Sequence, residues 1–162
     1  ADPRGKLVLL KAGDDAWWEL LFARMRQAIP DLDQRVILLP PLPLGRFLDL
    51  LASAEVVLDP FPFCGGNSSY EALGAGSPVV TLPGKTMCGR LTDAFYRQMD
   101  LAHMASGSVQ AYVDRAVRLA NDRAFHQQES AAITQRLNEI FDDRKALTLL
   151  ENTFAELIAA AP

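Results

Sequence analysis

Short aliphatic runs alternate along the chain with longer stretches in which apolar residues recur every three or four positions. Residues 6–11 (KLVLLK) form the first such run, and Gly13, Asp14 and Asp15 break it with residues suited to capping a helix. Trp17, Trp18, Leu20, Leu21, Met25 and Ile29 then recur at helical spacing until Pro30, which predicts a strand followed by a helix. Residues 35–39 (RVILL) lack polar alternation, as expected of a strand covered on both sheet faces. After the rigid Pro40-Pro41-Leu42-Pro43 link, residues 44–54 carry Phe47, Leu48, Leu50 and Leu51 on one face and read as a helix.

Residues 55–59 (EVVLD) predict a third strand, and the Pro-Phe-Pro-Phe-Cys-Gly-Gly stretch at 60–66 has to be a shaped loop. A short helix over 67–75 follows, with Gly76 as its C-terminal cap, and then a strand at 78–82. Beyond the loop at 83–86, a helix over 89–99, a weak strand at 101–105 and helices over 108–120, 124–141 and 143–160 complete the pattern, with Ser, Asp and Asn at the helix starts. Short strands alternating with helices of this length predict an α/β fold: a Rossmann-like, doubly wound parallel sheet with right-handed crossovers and additional C-terminal helices. We expect one domain over 1–162, with an α/β core at 1–122 and terminal helices at 123–162. The first strand starts so near residue 1 that we expect the chain to be part of something longer.

Composition narrows the function classes. The 162 residues are 49% hydrophobic and 22% charged, ordinary for a folded domain, and no apolar run approaches the ~20 residues of a membrane span. We therefore expect a cytoplasmic protein with no membrane partner. A net charge of −4 without clustered Lys and Arg argues against nucleic acid. Cys64 and Cys88 have neither CxxC spacing nor a nearby histidine, so we read both as free thiols; His103 and His126 are isolated.

Open parallel sheets bind ligands where loops leave the C-terminal strand ends. The loop after Asp59 combines Gly65 and Gly66 with Asn67, Ser68 and Ser69 at a helix N-terminus, whose dipole and free N–H groups favour phosphate. Glu71 lies one turn further, placed to accept hydrogen bonds from vicinal hydroxyls such as those of a ribose. The same residues also suit any sharp strand-to-helix turn, with Glu71 as a capping or dipole-complementing residue, and on spacing alone that plainer reading is slightly the stronger. Lys85 and Arg90 stand after the next strand, within reach of a phosphate or simply solvated. Lys11 closes an apolar strand and so emerges at the ligand-facing rim.

The segment DPFPFCGGNSSYEALGAGSPVVTLPGKTMCGR, residues 59–90, resembles the donor-binding region of the O-GlcNAc transferase and SPINDLY-like glycosyltransferases. That family has an LD-x-FP loop, a glycine pair, small hydroxyl residues, an acidic residue, then EAL-x-x-G-x-PVVTL-x-G and a downstream arginine, in this order. The likeness extends more loosely over nearly the whole chain. It implies the C-terminal, nucleotide-sugar-binding half of a GT-B fold, with the N-terminal GT-B domain absent from these residues. By that resemblance Asn67 and Ser68 lie against the donor diphosphate with Gly66 just before them, Glu71 binds the ribose, and Lys11 and Arg90 match recurrent basic positions; Gly65 and Ser69 complete the expected donor-binding set. Where the family's animal members carry a lysine and a histidine, this chain has Leu44 and Phe47, and Asn67 replaces a usual threonine.

The implied reaction is inverting transfer of a sugar, N-acetylglucosamine or another hexose, from a UDP-sugar to a polypeptide, with no cofactor and no obligatory metal. The implied partners are the nucleotide-sugar donor, a protein acceptor, the N-terminal GT-B domain and helical repeats. No residue here can be named as general base, so the chain alone is expected to be inactive. The rival reading is a non-catalytic nucleotide- or partner-binding module with a GT-B half fold. A receiver-type α/β domain is disfavoured, because the acidic cluster and lysine that such domains need are not present at the strand ends.

Overall fold

A computed structural model of the protein describes residue 2 and residues 4–160. The chain divides into two compact units, residues 1–53 and residues 54–162, and the break falls inside the segment read above as one α/β core.

In the first unit, β1 (Leu7–Leu10) pairs in parallel with β2 (Val36–Leu39), Leu7 beside Val36 through Leu10 beside Leu39. Between them lie α1 (Asp15–Ala28) and the four-residue α2 (Leu32–Arg35), which the periodicity did not reveal because a single turn is too short to show one. Asp14 caps α1 by accepting the N–H of Ala16 at 2.8 Å, and Trp18 Nε1 donates to the carbonyl of Ala12 at 2.7 Å. The helix α3 (Leu44–Ser53) closes the unit. The strands are not covered on both faces as their composition suggested: Val8, Ile37 and Leu38 are exposed, as is Trp17 on α1. A sheet of two strands is too narrow to bury both faces by itself.

In the second unit, β3 (Val57–Leu58) pairs in parallel with β4 (Val79–Val80). The connecting α4 (Asn67–Gly74) is followed by Gly76, whose φ of 76° admits the left-handed turn that returns the chain to β4. Then follow α5 (Leu91–Gln98), α6 (Val109–Asn121), α7 (Arg123–Gln135) and α8 (Arg144–Ala159). Ser108, Asp122 and Asp143 cap the last three through their side chains, as the expected capping residues should. The helix expected over 124–141 is shorter, ending at Gln135 before a 3-10 turn at Leu137–Glu139.

The weak strand expected at 101–105 is not a strand. Residues Ala102–Met104 form a 3-10 turn, and only a single parallel bridge joins Ala105 to Thr81. The remaining open edge of β4 is satisfied by a side chain: the Tyr96 hydroxyl accepts the N–H of Val79 at 2.9 Å and donates to its carbonyl at 2.8 Å. Tyr96 is fully buried, beside a core that includes Leu73, Val79, Val80, Leu119 and Ile133. Each such aliphatic side chain contributes about 1.5–3 kcal/mol by leaving water. By contrast α8 buries none of its residues, and Leu149, Leu150, Phe154 and Leu157 are all exposed.

Candidate functional site

The loop from β3 to α4 is built around one carboxylate. Asp59 is 2% exposed; its Oδ1 accepts the N–H of Gly65 at 2.6 Å and its Oδ2 accepts the Thr81 hydroxyl at 2.7 Å. Its backbone N–H donates to Val80 at 2.9 Å, and its carbonyl accepts the Tyr112 hydroxyl at 3.0 Å. Burial, reinforced by the Asp59 charge, pushes the Tyr112 phenol up to about 12, so it remains a donor at neutral pH. Phe61 meets Tyr112 edge to face at 5.5 Å, and the Phe61-Pro62 peptide is cis.

Further along, Cys64 donates its N–H to the Cys88 carbonyl at 2.9 Å, and its sulfur accepts the N–H of Leu91 at 3.2 Å. These bonds hold the residues on either side of Arg90, which precedes α5 and is exposed, against Cys64. Both cysteines are free thiols, as expected. Gly89 is needed for closeness: a Cβ there would stand 2.5 Å from the Pro62 carbonyl oxygen.

The structure sorts the expected site residues into two sets. Gly65 and Ser69 face inward. The Gly65 N–H is engaged by Asp59, and the Ser69 hydroxyl, 2% exposed, accepts from Thr92 at 2.9 Å. Asn67 and Ser68 are exposed at the first turn of α4, and Gly66 is its N-cap. The N-cap Gly66 has no side chain with which to cap the helix, and among the described residues no side chain accepts from its leading N–H groups. Glu71 is half-buried, and among the described residues its carboxylate makes no hydrogen bond or ion pair. Lys11 belongs to the first unit, where its ammonium pairs with Asp15.

Asp59, Thr81, Cys64 and Tyr112 were missed as parts of the site. Asp59 left a trace in the sequence, a carboxylate closing an apolar strand directly before the glycine-rich loop. Two surface grooves of the second unit lie elsewhere, one along α7 at Arg123, His126 and Ser130, the other between residues 105–107, α6 and Phe125.

A family model for glycosyl transferase family 41 matches residues 29–149, which takes in the whole of this loop and its supports. The chain belongs to glycosyl transferase family 41. Over 90 residues, 55% of the chain and 10% of the relative, it is 29% identical to a Solanum lycopersicum protein described as "Probable UDP-N-acetylglucosamine--peptide N-acetylglucosaminyltransferase SPINDLY". A mutant O-GlcNAc transferase of Thermobaculum terrenum superimposes with a TM-score of 0.78 at 30% identity, covering 94% of this chain and 30% of that one. The chain thus spans a tenth of one relative and under a third of the other. The family 41 likeness bears out the α/β, Rossmann-like fold of one GT-B half with terminal helices. Among the described residues no helix is long and apolar enough to cross a membrane.

Proposed function

We propose that this family 41 chain, residues 1–162, is the donor-binding part of an inverting glycosyltransferase that moves a sugar from a UDP-sugar to a polypeptide. The observation that carries the reading is the uncapped N-terminus of α4, with Asn67 and Ser68 exposed beside it and Glu71 unpartnered one turn on. Such a terminus concentrates about half a positive charge and free N–H groups where a diphosphate would lie. As the bond to the sugar breaks, negative charge grows on the leaving diphosphate, and fixed donors stabilise that charge without reorganising. Ser68 adds a hydroxyl, Arg90 a cation at the loop, and Glu71 an acceptor for ribose hydroxyls.

The acceptor side and the general base belong to the polypeptide beyond this chain, in keeping with the small fraction of each relative that the chain spans. With one wall of the cleft, the chain binds UDP weakly and does not turn over. Titration calorimetry with UDP, GDP and ADP tests this: saturable UDP heat, at least tenfold tighter than ADP, is expected. Saturation by ADP with no response to millimolar UDP would refute it.

A further inference from the structure

Asp59 places a full negative charge next to a loop proposed to hold an anion. A carboxylate there opposes the ligand electrostatically, so its presence needs another reason. The geometry supplies one. Oδ1 holds the Gly65 N–H at 2.6 Å, Oδ2 holds the Thr81 hydroxyl at 2.7 Å, and the residue is itself locked to β4 through its own N–H and to α6 through Tyr112. The carboxylate therefore ties the first glycine of the pair to two strands at once. A Cβ at Gly65 would stand 2.5 Å from the Ser69 hydroxyl, 2.8 Å from that of Ser68 and 3.3 Å from Asp59 Oδ1, so all three groups close around this one backbone position. The residue after it, Gly66, is the N-cap of α4, and its direction sets where the helix amides point.

We infer that Asp59 is the positioning residue of the donor loop: through Gly65 it sets the orientation of the α4 amides and of Ser68, and it does so by hydrogen bonding, not by charge. This rests on the diphosphate reading of the α4 terminus. Asparagine at 59 can keep both bonds, its carbonyl accepting from Gly65 and its amide donating to the Thr81 oxygen, while removing the opposing charge. Alanine removes both bonds.

The test titrates pyrophosphate and UDP into the 162-residue chain and its Asp59→Asn and Asp59→Ala variants, at a temperature where circular dichroism shows all three folded. Amide hydrogen exchange at Gly65 is measured on the same samples. D59N should bind both ligands as tightly as the wild type or more tightly, with Gly65 still protected. D59A should bind both at least tenfold more weakly, with Gly65 protection lost. A residue that only stabilised the fold would leave affinity per folded molecule unchanged, so unaltered binding by D59A overturns the inference and leaves the site reading intact. Equal weakening in D59N and D59A would mean that the charge is what matters, and also overturns it. Failure of the wild type to bind either ligand would overturn the site reading and this inference with it.

Discussion

Tyr96 offers a sharp test of how the second unit is held together. Its hydroxyl stands where a neighbouring strand would otherwise bond Val79, and it is fully buried. Tyr96→Phe keeps the ring and leaves one buried N–H and one buried carbonyl unpaired, which should cost about 2–4 kcal/mol. The loss should depend on pH. Burial is the main cause raising the Tyr96 phenol well above its ordinary 10.0, with nearby Glu129 and Asp59 acting in the same direction. A raised value means that the folded state holds its proton after the unfolded chain has lost it. The hydroxyl's contribution is therefore complete below pH 10 and declines above it, until the folded phenol itself ionises. Between pH 8 and pH 11 the difference between wild type and variant should narrow by about 1.4 kcal/mol, one unit of proton linkage above the unfolded value. Urea denaturation must be followed by far-UV circular dichroism, because both tryptophans, Trp17 and Trp18, lie in the first unit. A difference below about 1 kcal/mol at pH 8 would refute the role given to the hydroxyl. So would a difference that stays constant up to pH 11.

Ser68→Ala should weaken UDP by about 1.5–3 kcal/mol, the range for a hydrogen bond to a charged group, without lowering the melting temperature. Glu71→Gln should weaken UDP more than pyrophosphate; equal losses for the two ligands would remove the ribose assignment. Gly89→Ala forces a Cβ against the Pro62 carbonyl and should cost about 1–3 kcal/mol of stability, read from urea denaturation of the second unit. Deleting residues 144–162 should change that unit's stability by less than about 1 kcal/mol, because α8 buries no residue and a lone helix of this length is marginal in water. A large loss in the deletion variant would show that α8 supports the core.

Much of this protein is written locally in its chain. The apolar runs at 7–10 and 36–39, the capping residues Ser108, Asp122 and Asp143, and the left-handed turn at Gly76 are each set within a few residues, so pattern and propensity locate them. The glycine-rich loop and its family likeness were legible for the same reason, being one continuous segment. Tertiary structure decided which residues of that segment are engaged inside the fold. Gly65 and Ser69 looked as able to meet a ligand as Gly66 and Ser68, but Asp59 and Thr92 draw them inward, the latter from 23 residues away. The strand expected at 101–105 failed for a similar reason, since a phenol from α5 had already taken the open edge of β4. Periodicity records which face of an element is apolar; it does not record which distant donor will reach a backbone group first, and that competition is settled only when the elements pack.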